Sequence, residues 1–183
     1  MLRAVVGALD GLSAGGTAVL AVAAAPADAA RARAAGAALV DLGGAGRAAI
    51  ASVRAALPGL LVCAADEQAD IVRDPALALR SGAILACPDP AAASRAGLPA
   101  SQLLVEVSPD RLVAAREAGY ATLVDLADEP GVDAASLAIA AICAWLGATV
   151  VRTWHPRQTC RAVDMTASIR GIRPPARTVR GLG

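Results

Sequence analysis

The chain has 183 residues, of which 56% are hydrophobic and 18% are charged, and its formal net charge is +1. This length suits one domain, and the composition lies well outside the range of disordered chains. Phe, Lys and Asn do not occur, and all 17 basic residues are Arg, so small and branched aliphatic side chains must fill the core.

The first stretch, residues 1–16, precedes the repeating part of the chain and is predicted to form an N-terminal hairpin or cap. The sequence that follows, "TAVLAVAAAPADA", resembles the apolar region of a signal peptide with an A-x-A cleavage site. Only Arg3 charges the region before it, and Asp10 interrupts that region. We therefore favour a barrel strand in a cytoplasmic protein over a secretion signal.

A repeating unit follows, in which a short apolar run, a polar junction and an Ala/Arg-rich helical stretch alternate. Seven apolar runs start at Ala18, Ala37, Leu60, Ala83, Leu103, Ala121 and Ala148. The helical stretches are predicted to start near Pro26, Gly44, Asp66, Asp89, Ser108, Asp133 and Pro156. Gly36, Gly82, Gly97, Gly119 and Gly147 stand where helices are expected to end.

This alternation predicts an α/β fold, a compact TIM-like (β/α) barrel with about seven βα units, because strands that are apolar on both faces belong to a covered parallel sheet. A complete eight-unit barrel typically has about 250 residues, more than this chain has. A doubly wound open sheet is the alternative. No linker divides the chain, so we predict a single domain over residues 1–171.

The longest uncharged segment runs from Ala134 to Val151, but Gly147 divides it. A helix of about 14 residues is about 21 Å long, which is too short for the ~30 Å hydrocarbon core of a membrane. We expect a buried helix followed by a strand, and no membrane partner.

The cysteines and the charge distribution indicate whether the protein binds zinc or nucleic acid. Cys63, Cys87, Cys143 and Cys160 are widely spaced without a C-x-x-C pair, which favours reduced thiols over zinc or redox chemistry, with a structural disulfide as the alternative. Residues 147–183 hold seven Arg against one Asp, and residues 172–183 are predicted to be an extended basic tail. Few aromatic residues accompany these arginines, so we do not predict nucleic-acid binding.

Three acidic residues stand at predicted strand ends: Asp41 and Asp125, both in "LVDL", and Glu106 in "LLVEV". Carboxylates that converge there could bind a metal ion or raise one another's pKa. The alternative is structural, with each acid contacting a helix N-terminus or an Arg, and we favour it. We predict no metal ion and no cofactor.

The segments "AGAALVDLGG", "SGAILACPD" and "LGATVVRTWHPRQTCRAVDMTASIRG" resemble the second, fourth and eighth strand regions of dihydropteroate synthase, the pterin-binding barrel of folate synthesis. The opening of the chain resembles that family's N-terminal hairpin and first strand. The resemblance covers nearly the whole chain, but we expect one βα unit to be absent between "AILACPDP" and "LLVEV", where the family has another strand that ends in a histidine.

The resemblance also shows which of the family's polar groups this sequence lacks. The first-strand Asn-Val-Thr-Pro corresponds to Ala23–Pro26, the third-strand Asp to Ala65, with Asp66 beside it, and the fourth-strand Asn to Cys87. After "DLGG" the family has a Ser-Thr-Arg loop that this chain omits. The strand 6 Asp corresponds to Glu106, and the strand 7 Ser-Arg-Lys to residues 127–129. The strand 8 Arg is retained as Arg152, while its His is displaced by one residue to His155.

A chain without Asn and Lys cannot supply that family's asparagines or lysine in any alignment, and each unpaired polar group of a buried ligand costs about 1–3 kcal/mol. We therefore expect a relative that has lost its catalytic and pterin-binding residues, and acts as a non-catalytic subunit or ligand-binding protein. The alternatives are an active pterin-related or other small-anion enzyme with a reshaped site, and a structural partner without a ligand.

Two expectations concern what this protein binds. Arg152 and His155 are predicted to contact any small anion bound at the strand C-termini, with Arg152 first, although an Arg152 paired to an acid such as Asp125 is the favoured alternative. Seven strands would leave an open edge, so we also expect a dimer, either with itself or with a full-length relative.

Overall fold

The structure, a computed structural model, describes residues 16–127 and 134–173. Most of the predicted N-terminal hairpin and of the basic tail therefore lies outside the described residues. Eight strands run through the described part: β1 (Ala18–Val22), β2 (Leu39–Asp41), β3 (Leu61–Cys63), β4 (Ile71–Val72), β5 (Ile84–Cys87), β6 (Leu103–Glu106), β7 (Ala121–Asp125) and β8 (Val150–Thr153).

Seven α-helices accompany these strands: α1 (Pro26–Ala34), α2 (Arg47–Ala56), α3 (Pro75–Ser81), α4 (Pro90–Arg95), α5 (Leu112–Glu117), α6 (Ala134–Leu146) and α7 (Pro156–Ile169). Short 3-10 turns at Ala100–Gln102 and Pro109–Arg111 precede β6 and α5. Prolines open several helices, and the five glycines predicted to end helices all have positive φ angles, as at Gly82 (73°) and Gly147 (84°).

The strands form a closed parallel barrel in the order β1 to β8, with β8 hydrogen-bonded to β1. The predicted barrel fold is confirmed, but the predicted count of about seven units is slightly off. Between "AILACPDP" and "LLVEV" the structure has a short helix and a 3-10 turn but no strand, as expected, and the strand that the prediction did not include is β4, which precedes "AILAC" (β5). The barrel has no open edge of the kind that the seven-strand prediction implied.

The connection between β3 and β4 departs from the alternation of strand and helix. It is a turn of seven residues rather than the helix predicted to start near Asp66, and the next helix, α3, starts only at Pro75. The buried carboxylate of Asp70 stabilises this turn by accepting a hydrogen bond from the Val62 amide (2.9 Å) and one from Arg54 of α2 (2.9 Å). Asp70 thus joins the turn to both the sheet and the helix layer.

The barrel interior and the helix layer receive alternate residues of each strand. The buried inner cluster includes Leu20, Leu39, Ile71, Ile84, Leu104, Leu123 and Val150. Residues of the opposite parity, such as Val40, Val62 and Leu85, pack outward against Ile50, Val53 and Leu77 of the helices. At the C-terminal ends of their strands, Asp41, Glu106, Asp125 and Arg152 share the inward-facing parity of this inner cluster.

The structure also bears on the membrane and cysteine predictions. No helix among the described residues is long and apolar enough to cross a membrane. The uncharged segment divides as predicted, into α6 and β8. All four cysteines are free and buried.

Candidate functional site

The C-terminal mouth of the barrel carries a ring of charged residues. Each follows an inward-facing apolar residue by two positions, as Asp41 follows Leu39 and Arg152 follows Val150, so the alternation of the strand points it into the mouth. The members of this mouth ring are Asp41, Arg73, Glu106, Asp125 and Arg152.

Arg152 is the centre of the ring on the β8 side. Its Nε lies 2.8 Å from Asp41 Oδ2, and its terminal nitrogen lies 2.8 Å from Asp125 Oδ2. Burial opposes the charge of the guanidinium, but the hydrogen bond to Asp41 and the charge of Asp125 outweigh it and raise the pKa of Arg152. The arginine that was predicted to meet an anion is therefore bonded to two carboxylates of its own chain.

Both carboxylates are held by backbone groups as well. The second oxygen of Asp41 accepts a hydrogen bond from the Gly43 amide (2.8 Å), and Asp125 accepts one from the Ala127 amide (2.9 Å). The side chain of Asp41 is only 5% exposed, whereas that of Asp125 is 29% exposed. Asp41 is thus the partner that depends most on Arg152 for compensation of its charge.

Glu106 does not join the other two acids. Its carboxylate forms an ion pair with Arg73, the residue directly after β4. Within the described ranges, no three His, Cys, Asp or Glu side chains lie close enough together to hold a metal ion. Of the three strand-end acids, the structure brings together Asp41 and Asp125, and it brings them together on an arginine.

A cavity of about 420 Å³ opens at the mouth beside this ring, and its wall includes Asp41, Cys63, Arg73, Asp74 and Arg152. Cys63 is the one thiol of this wall. Burial, followed by the charge of Asp41, raises its pKa from 9.0 to about 12, so the thiol stays protonated at neutral pH. A protonated thiol is a poor nucleophile and a poor metal ligand.

His155 lies away from Arg152. Two residues separate them, and Trp154 between them is 43% exposed and donates its indole N–H to the carbonyl oxygen of Ala127 (2.8 Å). His155 directly precedes α7 and lines a different cavity, between α1 and α7, of which Arg152 is not part. The structure therefore does not bring the predicted Arg152–His155 pair into one cavity.

The other positions carried over from the resemblance also have definite places. Ala65 lies in the wall of the mouth cavity, and the Asp66 carboxylate accepts a hydrogen bond from the Gln68 amide within an exposed turn. Cys87 ends β5, the fifth strand of this barrel in chain order. Of the positions matched to the Ser-Arg-Lys segment, only Ala127 is among the described residues.

Sequence reasoning missed Arg73. The signal was present as "DIVRD". There Arg73 follows the apolar Ile71 by two positions, just as the charged residue of the other strands follows an inward-facing apolar residue. A strand of two residues is too short for its alternation to be recognised in isolation.

Together the fold and the mouth define the class of this protein: an eight-stranded parallel (β/α) barrel whose charged C-terminal ring is paired within the chain. No protein-family model matches the chain. A segment of 47 residues is 49% identical to proteins named inactive dihydropteroate synthase 2 from Mycobacterium bovis and Mycobacterium tuberculosis. That segment spans 26% of this chain and 15% of each relative's length.

Solved structures match over nearly the whole barrel. The Mycobacterium tuberculosis protein Rv1207 superimposes with a TM-score of 0.70 and 23% identity over 88% of this chain and 95% of its own. The dihydropteroate synthase of Stenotrophomonas maltophilia, with imidazole bound in its active site, gives a TM-score of 0.72 and 16% identity over 86% of this chain and 94% of its own. The chain has the dihydropteroate synthase fold, as its sequence resemblance predicted.

Proposed function

We propose that this chain is a relative of dihydropteroate synthase that no longer carries out the reaction. The observation that supports this most directly is the mouth ring, in which every charged side chain is paired with another member of the ring. A barrel enzyme of this type uses the ends of its strands for chemistry, and here those ends bond to one another.

The charge of the ring argues against an anionic substrate such as a pterin pyrophosphate. Two arginines face three carboxylates, and Asp74 adds a further carboxylate to the wall of the mouth cavity. An incoming pyrophosphate would have to displace Asp41 or Asp125 from Arg152 and would leave that carboxylate without its cation. Leaving a buried charge unpaired is costly, so the exchange is unfavourable.

The shape of the strand ends supports the same conclusion. The residues after β1 are Ala23, Ala24 and Ala25, which offer no side-chain donor or acceptor, and Ala65 stands in the wall of the mouth cavity. Polar ligands need such groups in fixed positions to offset the loss of their hydration. The proposal involves neither a cofactor nor a metal ion.

Product formation tests this proposal. The purified chain is incubated with the pterin pyrophosphate and p-aminobenzoate, and an active dihydropteroate synthase prepared in the same way serves as the positive control. We expect no dihydropteroate above the uncatalysed background from a sample that unfolds cooperatively on heating. Turnover that rises in proportion to the protein concentration and is lost in Arg152→Met would contradict the proposal and favour an active enzyme with a reshaped site.

We further propose that the protein forms a dimer with a second copy of itself through helices α6 and α7. Ile142 and Trp145 of α6 and Met165 and Ile169 of α7 are 54–67% exposed, and these two helices pack against each other. No residue of α6 is charged. The uncharged face of α6 is complemented by the same face of a second copy across a two-fold axis, which buries the apolar side chains of both copies. Helix α7 adds Met165 and Ile169 together with the exposed charges of Arg161 and Asp164.

Light scattering at micromolar concentration tests the dimer. We expect the mass of two chains for the natural protein and of one chain for an Ile142→Asp/Trp145→Asp variant. A Leu79→Asp variant, which alters an apolar residue that is 50% exposed on α3, serves as the control and is expected to remain dimeric. A monomeric natural protein would contradict self-association, and co-purification of a full-length relative would show that the partner is that relative.

A cytoplasmic location is also part of the proposal. Four free, buried thiols are compatible with a reducing compartment. Fractionation of the source cells, with detection of the chain by antibody, tests this directly.

A further inference from the structure

A second cavity, larger than the one at the mouth, lies between helices α1 and α7. It measures about 700 Å³, which is within the usual range of small-molecule sites. This α1–α7 groove shares no lining residue with the mouth cavity. Its ligand, if it has one, would therefore be recognised by groups other than the mouth ring.

The groove exists because the wall on the α1 side is built from alanines. Ala32, Ala34 and Ala35 line it, and the sequence of α1, "PADAARARA", has no larger apolar side chain that could fill the space towards α7. Two charged side chains of α1 line the wall, those of Asp28 and of Arg31, which pair with each other. The Arg31 side chain is 75% exposed, and an ion pair this exposed contributes little, so Arg31 can donate to a ligand instead.

The opposite wall contributes an aromatic ring and a second arginine. Trp154 lines the groove and is held by the hydrogen bond from its indole N–H to Ala127, while 43% of the residue remains exposed. Arg157, in the first turn of α7, is exposed and forms no ion pair with any described residue. A fixed ring beside an uncompensated guanidinium suits a ligand that is both planar and anionic.

We propose that the α1–α7 groove binds a nucleoside phosphate. The base stacks on Trp154, and the phosphate oxygens accept hydrogen bonds from Arg31 and Arg157, one from each wall. Stacking on an aromatic side chain is effective for any base, and guanidinium groups are well shaped to bind phosphate. This site is independent of the proposed loss of catalysis, because none of its residues belongs to the mouth ring.

Tryptophan fluorescence tests the proposal, because one of the two tryptophans of the chain, Trp154, lines the groove. A Trp145→Phe variant leaves Trp154 as the only reporter, and adenosine diphosphate is the probe. We expect saturable quenching, with at least about tenfold weaker binding of adenosine or inorganic pyrophosphate alone. Arg31→Ala and Arg157→Ala are each expected to weaken binding about tenfold, the usual consequence of losing one charge-assisted hydrogen bond.

Matched controls come from the same two helices. Arg33 of α1 and Arg161 of α7 are exposed but do not line the groove, so their replacement by Ala is expected to change binding less than twofold. Equal losses in the control and groove variants would show a general charge effect and overturn the proposal. Absence of saturable binding at millimolar adenosine diphosphate, by fluorescence and by calorimetry, would also overturn it, as would binding that is abolished by Arg152→Met at the mouth.

Discussion

Arg152 is engaged by two carboxylates of its own chain. The sequence resemblance matches it to an eighth-strand arginine, and in the structure its guanidinium is shared between Asp41 and Asp125. The two carboxylates belong to β2 and β7, the strands on either side of β1 and β8 in this part of the barrel. The arginine therefore links three strands at the mouth instead of offering its donors to a ligand.

Replacement of Arg152 by Met should be strongly destabilising. The change leaves Asp41, whose side chain is 5% exposed, with only the Gly43 amide as partner, and we expect a loss of about 2–4 kcal/mol. The exposed pair of Arg31 with Asp28 is the control, and Arg31→Met should cost less than about 0.5 kcal/mol. Urea unfolding measures both; equal losses would mean that the mouth ring contributes no more than a surface ion pair.

The buried thiols predict how stability depends on pH. Burial raises the pKa of Cys63 from 9.0 to about 12 and that of Cys160 to about 11, with Asp41 and Asp164 as the second causes. Because these folded-state values lie above the unfolded value, the thiols' contribution to stability is complete below pH 9 and is lost as the pH rises towards 11 and 12.

Urea unfolding at a series of pH values measures this contribution. We expect the free energy of unfolding to fall by more than about 1 kcal/mol between pH 9 and pH 11. A Cys63→Ala/Cys160→Ala variant should show a shallower fall, since only the thiol contribution is removed. The same slope in both proteins would show that other groups cause the alkaline loss.

Among the elements, the sequence predicted those that are long enough to show a period. Seven strands, the division of the uncharged segment at Gly147 and the prolines and glycines that bound the helices were all recognised, because these signals are local. The strand β4 was missed, since two apolar residues between charges have no period of their own. Its contacts are not local: it pairs with β3 and β5, and the preceding Asp70 bonds to β3 and α2.

Asp70 should accordingly be a key residue of the β3–β4 connection. Replacement by Ala leaves the buried Val62 amide without its acceptor and Arg54 with only the carbonyl oxygen of Gln68, and we expect a loss of about 2–4 kcal/mol. Asp66 in the same turn accepts only the exposed Gln68 amide, so Asp66→Ala should cost less than about 1 kcal/mol. Thermal unfolding of the two variants measures both losses. A small loss in both would show that the hydrogen bonds of Asp70 do not stabilise the β3–β4 connection.

At the scale of the whole molecule, closure of the barrel determines the site. The strand-end acids and Arg152 could be identified from the sequence as residues of the mouth, but their pairing could not, because it depends on which strands are neighbours across the closed barrel. Arg73 could be assigned to the mouth only once β4, the strand that it follows, was known. The separation of His155 from Arg152, which line different cavities, also became visible only in the structure.

The central claim is that the mouth ring is satisfied within the chain and does not bind the anionic substrate of the related enzymes. Isothermal titration calorimetry with the pterin pyrophosphate tests it most directly, with an active dihydropteroate synthase as the control. We predict no saturable binding to the mouth ring of the natural chain. In an Asp41→Asn/Asp125→Asn variant the two carboxylates no longer neutralise Arg152, so any change in affinity for the pterin pyrophosphate is expected to be a gain. Saturable binding by the natural chain that is lost in Arg152→Met, while Arg157→Ala leaves it unchanged, would contradict the claim.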